Sequence, residues 1–411
     1  MRALNLCFKV HLPKALNNYD AGSIGKADSY FNSRADQMLV DQLAELCYLP
    51  ANEIVASMIA KHKGRFKLSY SISGTALEIL CSYRPDVIES FRELAATGCI
   101  EFLGETYYNS LCWLYSKKEF ARQLQMHAKL VKDLFDMETT VLRNTELIYC
   151  NEMASVAHGL GFKAIWCEGI GKFLNGRSPN HVFRAPGETP LALLPRNAGL
   201  SDDIAFRFDQ QDWEEHPLTA EKYAGWIHAH TRAETIHLLM DYETFGLYKT
   251  RNTGIFDFLE NLAPAILQNE DWRFALPSEI IASFEPTAVY DVPTTISWGD
   301  KEIECCVWCE NSMQNNMLRK IYSLEKMVHK TRNEQMLEEW GQLQSADHFY
   351  FMSNKGRTMH DAYLHRNPFS SAESAHKNYV NIITDFEIRL IEHGLHAFKE
   401  TEQHLHYGTL Y

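Results

Sequence analysis

Apolar and polar residues alternate with a period of two from Leu4 to Val10, where Leu4, Leu6, Phe8 and Val10 are separated by Asn5, Cys7 and Lys9. The run stops at His11-Leu12-Pro13, so the period predicts a strand that closes on a histidine. Between residues 34 and 63 the apolar spacing becomes helical (Met38, Leu39, Leu43, Leu46), and Phe66 to Ile72 then reads as a strand before the Ser73-Gly74 turn. The same alternation continues. A helical stretch through Val87, Phe91, Leu94 and Ala95 leads to a strand from Gly98 to Glu105, and a helix over 119–135 leads to the strand before Glu146. Asn151 to Gly161 predicts a helix with a glycine stop, and Phe162 to Glu168 a strand. Leu191 to Asn197 reads as a short strand, Thr219 to His230 as a helix, Thr235 to Asp241 as a strand, 255–268 as a helix and Trp272 to Leu276 as a last strand. Beyond about residue 295 the β-branched runs give way to helical faces such as Met313, Met317, Ile321, Leu324 and Val328, and Tyr379, Ile383, Phe386 and Leu390.

Several strands end in charge. Thr235-Ile-His-Leu-Leu-Met stops at Asp241 and Glu243 before Gly246, and Thr140-Val-Leu is interrupted at Arg143-Asn-Thr-Glu146. In parallel α/β folds catalytic groups sit at the carboxyl ends of strands, so seven or eight such strands predict a parallel barrel with a polar carboxyl face. On that reading His11, Glu105, Glu146, Glu168, Asp241 and Glu279 surround one mouth. Two acids delivered by different strands suit glycosidic chemistry, in which one carboxylate attacks and one carboxylic acid donates a proton. Taken alone, Asp241 also suits a helix N-cap and Glu146 an ion pair with Arg143.

Composition narrows the class. At 45% hydrophobic and 23% charged, the 411-residue chain has an ordinary globular composition without low-complexity segments. A net charge of -13 with no basic cluster argues against nucleic acid as a partner and for an uncharged substrate. The sequence shows no apolar run of about 18 residues, so no membrane span is expected. The amino terminus reads as a strand rather than a leader peptide. Ten scattered cysteines then fit reduced thiols in a cytoplasmic protein. Cys306-Val-Trp-Cys309 has no second pair at zinc spacing, and no phosphate-cradling glycine loop occurs, so neither metal nor cofactor is expected.

Five stretches in order resemble glycoside hydrolase family 57, in its amylase-like branch. They are His11-Leu-Pro13, Glu101-Phe-Leu-Gly-Glu-Thr-Tyr-Tyr-Asn-Ser110, Arg143-Asn-Thr-Glu-Leu-Ile-Tyr149, Met240-Asp-Tyr-Glu-Thr-Phe-Gly246, and Ser297-Trp-Gly-Asp300 with Trp308. The resemblance implies an incomplete (β/α)7 barrel over 1–293. A C-terminal all-α helical domain over 294–411 would follow it and contribute to the active-site cleft. It also implies retaining action on α-1,4-linked glucans, with Glu146 as nucleophile and Asp241 as general acid/base. His11, Glu105, Trp298, Asp300 and Trp308 would bind an α-glucan or malto-oligosaccharide substrate. Four positions depart from the pattern: Leu12 replaces a glutamine, Asn109 a histidine, and Leu247-Tyr248 a Glu-His pair. A fourth departure puts Cys305-Cys306 where an aspartate and a small residue are expected. Hydrolysis, glucanotransferase or branching activity on the same acids, and noncatalytic glucan binding all remain compatible with the sequence. A metal-dependent deacetylase or mannosidase would need converging ligands, and only His11 with a nearby acid is on offer.

Overall fold

The computed structural model describes residues 1–26, 29–298, 306–354 and 366–407. Its contacts gather into two compact units. The first comprises Met1–Leu12, Gln37–Asn109 and Ala121–Cys306. Its strands are β1 (Arg2–Val10), β2 (Leu68–Ile72), β3 (Ile100–Phe102), β4 (Val141–Arg143), β5 (Ala164–Glu168), β6 (Phe183–Arg184), β7 (Ala192–Arg196), β8 (Thr235–Asp241), β9 (Trp272–Phe274) and β10 (Ala288–Val289).

Parallel ladders run β3-β2-β1-β8 and β4-β5-β7. The two ladders meet where Gly104, just past β3, bridges Leu142 of β4, with the Gly104 amide donating to Val141 at 2.8 Å. On the other side they meet where the Asn197 amide donates to the His237 carbonyl at 2.8 Å. Seven parallel strands thus close a ring through joints of very few hydrogen bonds, which is the incomplete (β/α)7 barrel expected. Outside the ring, β6 runs antiparallel to β7 and β10 parallel to β6. These two-residue pieces carry too little periodicity to read from sequence.

Strand alternation sorts the core. Leu4, Leu6, Phe8 and Val10 face an apolar layer filled by helices such as Leu49–Lys61, Pro85–Ala96 and Ile255–Leu267. Ala3 and Cys7 face the smaller cluster with Leu103, Val141, Trp166 and Leu239 inside the ring. Burial on both faces is what parallel strands require. The helical stretch Ser33–Lys61 is long and apolar enough by composition to cross a membrane, yet half of its apolar window is buried. Val40, Leu43, Val55 and Met58 are core residues of this fold.

Strand β9 pairs low on β1, with Arg2 opposite Trp272 and Leu4 opposite Phe274. The chain therefore leaves β9 near the amino-terminal end of the ring, and Glu279 pairs there with Lys67, the residue before β2. Its second oxygen caps the Leu276 amide at 3.1 Å. The expectation that Glu279 joins the carboxyl mouth is corrected accordingly: it is a helix-capping residue at the opposite end.

The second unit comprises Pro13–Asp36, Ser110–Phe120 and Val307–Tyr411. Its helices include Ser312–Ser323, Glu325–Thr331, Glu334–Gln342, Ala346–Tyr350 and Ala372–Tyr407. Of the faces read from the sequence, Ile321, Leu324, Val328, Tyr379, Ile383, Phe386 and Leu390 are buried, whereas Met313 and Met317 are half-buried and Leu318 takes a core place beside them. The early segment Pro13–Asp36 belongs here because the long last helix satisfies it. Asn378 accepts the Tyr19 amide at 2.5 Å, and Asp385 accepts the Gly25 amide at 2.6 Å and the Tyr30 hydroxyl at 2.5 Å.

Candidate active site

After β4 the chain makes a turn that few residues adopt. Glu146 (φ +53°) and the following Leu147 (φ +52°) are both in the left-handed region, as is Asn109 (φ +48°). Non-glycine residues held there cost on the order of 1–3 kcal/mol each and cluster at functional sites. The turn places the Glu146 carboxylate, which is fully buried, under three donors. Lys9 Nζ reaches Oε1 at 3.0 Å, Asn109 Nδ2 reaches the same oxygen at 3.4 Å, and Trp298 Nε1 donates to Oε2 at 2.6 Å. A second tie holds the backbone, with the Trp298 amide donating to the Glu146 carbonyl at 3.2 Å.

Asp241 arrives as β8 ends. Its Cα is in register with Lys9 on β1, and Lys9 Nζ lies 3.6 Å from Oδ1. One ammonium therefore spans both acids. Their nearest oxygens can be no farther apart than the two distances of 3.0 and 3.6 Å taken together. That limit on the nearest oxygens admits the ~5–5.5 Å spacing of a retaining pair. The Asp241 side chain is 18% exposed whereas that of Glu146 is not exposed at all, so the pair does not line an open cleft as expected. The left-handed turn has folded Glu146 beneath Lys9, Asn109 and Trp298.

The turn after Asp241 is anchored from behind. A π-helical turn, Ala44–Tyr48, interrupts the long helix and aims two side chains at this loop. The Tyr48 hydroxyl donates to Glu243 at 2.6 Å, and Cys47 Sγ contacts the Tyr242 carbonyl at 3.1 Å. Tyr242 stacks on Phe8 with ring centroids 4.8 Å apart. Gly246 (φ +116°) passes so close to this helix that a Cβ there would sit 1.9 Å from the Leu46 carbonyl oxygen.

The remaining candidates divide. His11 is buried at the end of β1 with Nδ1 2.7 Å from Ser73 Oγ. Glu105 is also buried, accepting from Ser71 Oγ at 2.7 Å and lying 3.7 Å from Arg143. Its position is fixed by barrel partners rather than by an opening. Trp298 is half-buried, with its ring centre 5.1 Å from Lys9 Nζ and 5.4 Å from the Arg196 guanidinium. Trp308 is fully buried and packs on Tyr350 in the second unit, so the expectation of a sugar-stacking face is corrected to a core role. Asp300 and the Cys305-Cys306 pair lie outside the described residues, apart from the backbone of Cys306. Leu12 has joined the apolar layer, and Asn109, also a departure, touches the nucleophile candidate.

Lys9 was not singled out by the sequence reading, although the signal was present. Leu4, Leu6, Phe8 and Val10 fix one face of β1 to the helices, so Asn5, Cys7 and Lys9 point into the ring, and Lys9 is the last of them before the mouth.

Glu168 at the end of β5 is fully coupled to this corner through Arg196, which it meets at 3.3 Å and which also pairs with Asp202. Burial pushes its carboxyl up to about 7, outweighing the opposite pull of Arg196, with Asp202 adding to the rise. An unfolded glutamate titrates near ~4.3. Between these values the native state keeps a proton that the unfolded state has lost, so stability falls as pH rises through the window and levels off above it. We expect Glu168→Gln to flatten this decline, which is on the order of 3 kcal/mol. Thermal unfolding of both proteins from pH 4 to 8 checks it; parallel curves would exclude Glu168 as the source.

Among the described residues no group of three or more His, Cys, Asp or Glu is placed to hold a metal ion. The described cysteines carry no disulfide.

Comparison with known proteins converges on one family. The model of glycosyl hydrolase family 57 matches residues 5–293. A Methanocaldococcus jannaschii protein provisionally named an alpha-amylase is 36% identical over 399 residues, covering 94% of this chain and 84% of its own. Among solved structures, a branching enzyme of the same family from Pyrococcus horikoshii superposes with a TM-score of 0.66 at 13% identity, covering 94% of this chain and 96% of its own. A 4-alpha-glucanotransferase from Thermococcus litoralis gives 0.66 at 16% identity over 85% of this chain; the chain spans only 56% of that protein. At such identities the two structures speak for the fold.

Proposed function

Because the chain belongs to glycosyl hydrolase family 57, we propose that it is a retaining, amylase-like hydrolase of α-1,4-linked glucans such as starch, glycogen or maltodextrin. In this reading Glu146 attacks the anomeric carbon and Asp241 protonates the departing glycosidic oxygen. A glycosyl ester forms on Glu146, and Asp241 then takes a proton from the water that opens it. In this reading half-buried Trp298, beside Glu146, would meet a sugar ring, while buried His11 shapes the mouth through Ser73. The observation that carries the reading is the bracketing of two strand-end acids by one ammonium, at 3.0 and 3.6 Å, beside a residue held in the left-handed region. The activities named for the relatives, an alpha-amylase, a glucanotransferase and a branching enzyme, support an α-glucan as substrate.

The second reading is transfer, in which a sugar hydroxyl instead of water opens the ester; the glucanotransferase and branching-enzyme neighbours support it. Time-resolved product analysis on maltoheptaose and glycogen separates the two. Shorter α-configured products alone mean hydrolysis, and chains longer than the substrate mean transfer. No change in either glucan would refute catalysis on this substrate class.

A further inference from the structure

Among the described residues that donate to Glu146, Asn109 and Trp298 are neutral, whereas Lys9 carries a charge and also reaches Asp241. A buried ammonium is costly to hold unless it is closely paired, and Lys9 is only 2% exposed. Both its backbone and its head group are fixed. Its Cα is in register with Asp241 on β8 and with Ser71 on β2, while its nitrogen lies 5.1 Å from the centre of the Trp298 ring. Among the described residues the charged groups around it on the packed elements are Glu146 and Asp241, with the Glu105–Arg143 pair behind Ser71 and Arg196 5.4 Å from the Trp298 ring.

From this placement we infer that Lys9 is a positioning residue of the double displacement, a counter-ion within reach of the negative charge both before and after it passes from Glu146 to Asp241. The inference rests on the retaining reading above. In the first step an oxygen of Glu146 bonds to the anomeric carbon and the bond from that carbon to the glycosidic oxygen breaks. The proton of Asp241 goes to the departing oxygen. Glu146 becomes a neutral ester as Asp241 becomes a carboxylate, so the pair carries one negative charge throughout while its location changes. The second step reverses the move: water gives its proton to Asp241 and its oxygen to the anomeric carbon as the ester bond from that carbon to Glu146 breaks, and Glu146 leaves as the carboxylate. An ammonium 3.0 Å from one acid and 3.6 Å from the other stabilises the charge at either end with little movement of its own.

The test compares Lys9→Met and Lys9→Ala with the wild type on maltoheptaose and on a 4-nitrophenyl malto-oligoside. With the nitrophenyl group leaving, the charge departs on the phenolate instead of settling on Asp241, so Lys9 matters less. We expect kcat on maltoheptaose to fall about 10²-fold in Lys9→Met, the scale of losing one preorganised charge-stabilising donor. KM should move only a few-fold, and the loss on the aryl substrate should be at least tenfold smaller. Ethylammonium should restore Lys9→Ala saturably. Equal losses on both substrates, or an unchanged kcat, would overturn the inference, as would a folded Lys9→Ala that ethylammonium does not restore. Should Lys9→Ala not fold, the substrate comparison in Lys9→Met decides alone. Should both variants fail to fold, a stabilising role is shown and the inference is rejected. Glu146→Gln runs alongside: if it keeps full activity, the retaining reading itself fails, whatever Lys9 does.

Discussion

Glu146→Gln is expected to abolish glucan turnover, lowering kcat/KM on the order of 10⁴-fold or more on every substrate, because the attacking carboxylate is gone while the volume is kept. The surroundings add a specific cost. Both oxygens of Glu146 accept from donors, Lys9 and Asn109 on one and Trp298 on the other. A glutamine must turn its amide nitrogen toward one set, leaving a buried donor facing a donor, which costs roughly 1–3 kcal/mol. Thermal unfolding should register that loss without approaching the loss in rate. Azide, small enough to enter where the carboxylate no longer attacks, should restore turnover on an activated aryl α-glucoside and give the β-glucosyl azide. Unimpaired activity of the variant would remove Glu146 from the mechanism.

Asp241→Asn is expected to show the complementary pattern. General acid catalysis contributes typically ~10²–10⁴-fold, and the contribution shrinks as the leaving group becomes able to depart without a proton. Malto-oligosaccharides should therefore lose most and nitrophenyl glycosides least. The asparagine can still accept from Lys9 3.6 Å away, so the ladder between β1 and β8 should hold and the unfolding temperature should change little. Azide should now accelerate only the second step, with retention. If the two variants respond alike to leaving group and to azide, the assignment of nucleophile and acid/base has no support.

Much of this fold could be read along the chain because its long elements obey a single period. The eight main strands and the helices between them appear where alternation and helical spacing put them, and Glu146 and Asp241 do follow strands onto one mouth. Contacts that depend on register were not legible. Glu279 follows a strand, yet β9 pairs with residues 2–4 of β1 and so ends far below the mouth. Trp308 looks the same in sequence whether its ring meets a sugar or Tyr350. The left-handed turn at Glu146-Leu147 carries no glycine to announce it. Lys9 was hidden for a different reason: a charged residue at a polar position of a strand reads as solvent-facing until the ring closes and that face becomes the interior.

The π-helical turn behind Asp241 has a consequence for how such a chain can be altered. One extra residue in that helical turn sets Cys47 and Tyr48 against Tyr242 and Glu243, and the Leu46 carbonyl comes close enough to Gly246 to leave no space for a methyl group. The two segments lie almost two hundred residues apart in sequence. Their shapes nonetheless constrain each other residue by residue. Exchanging the loop after Asp241 for one from a relative transplants half of a matched surface, so a chimera keeps its proton donor in place only when residues 44–48 travel with it.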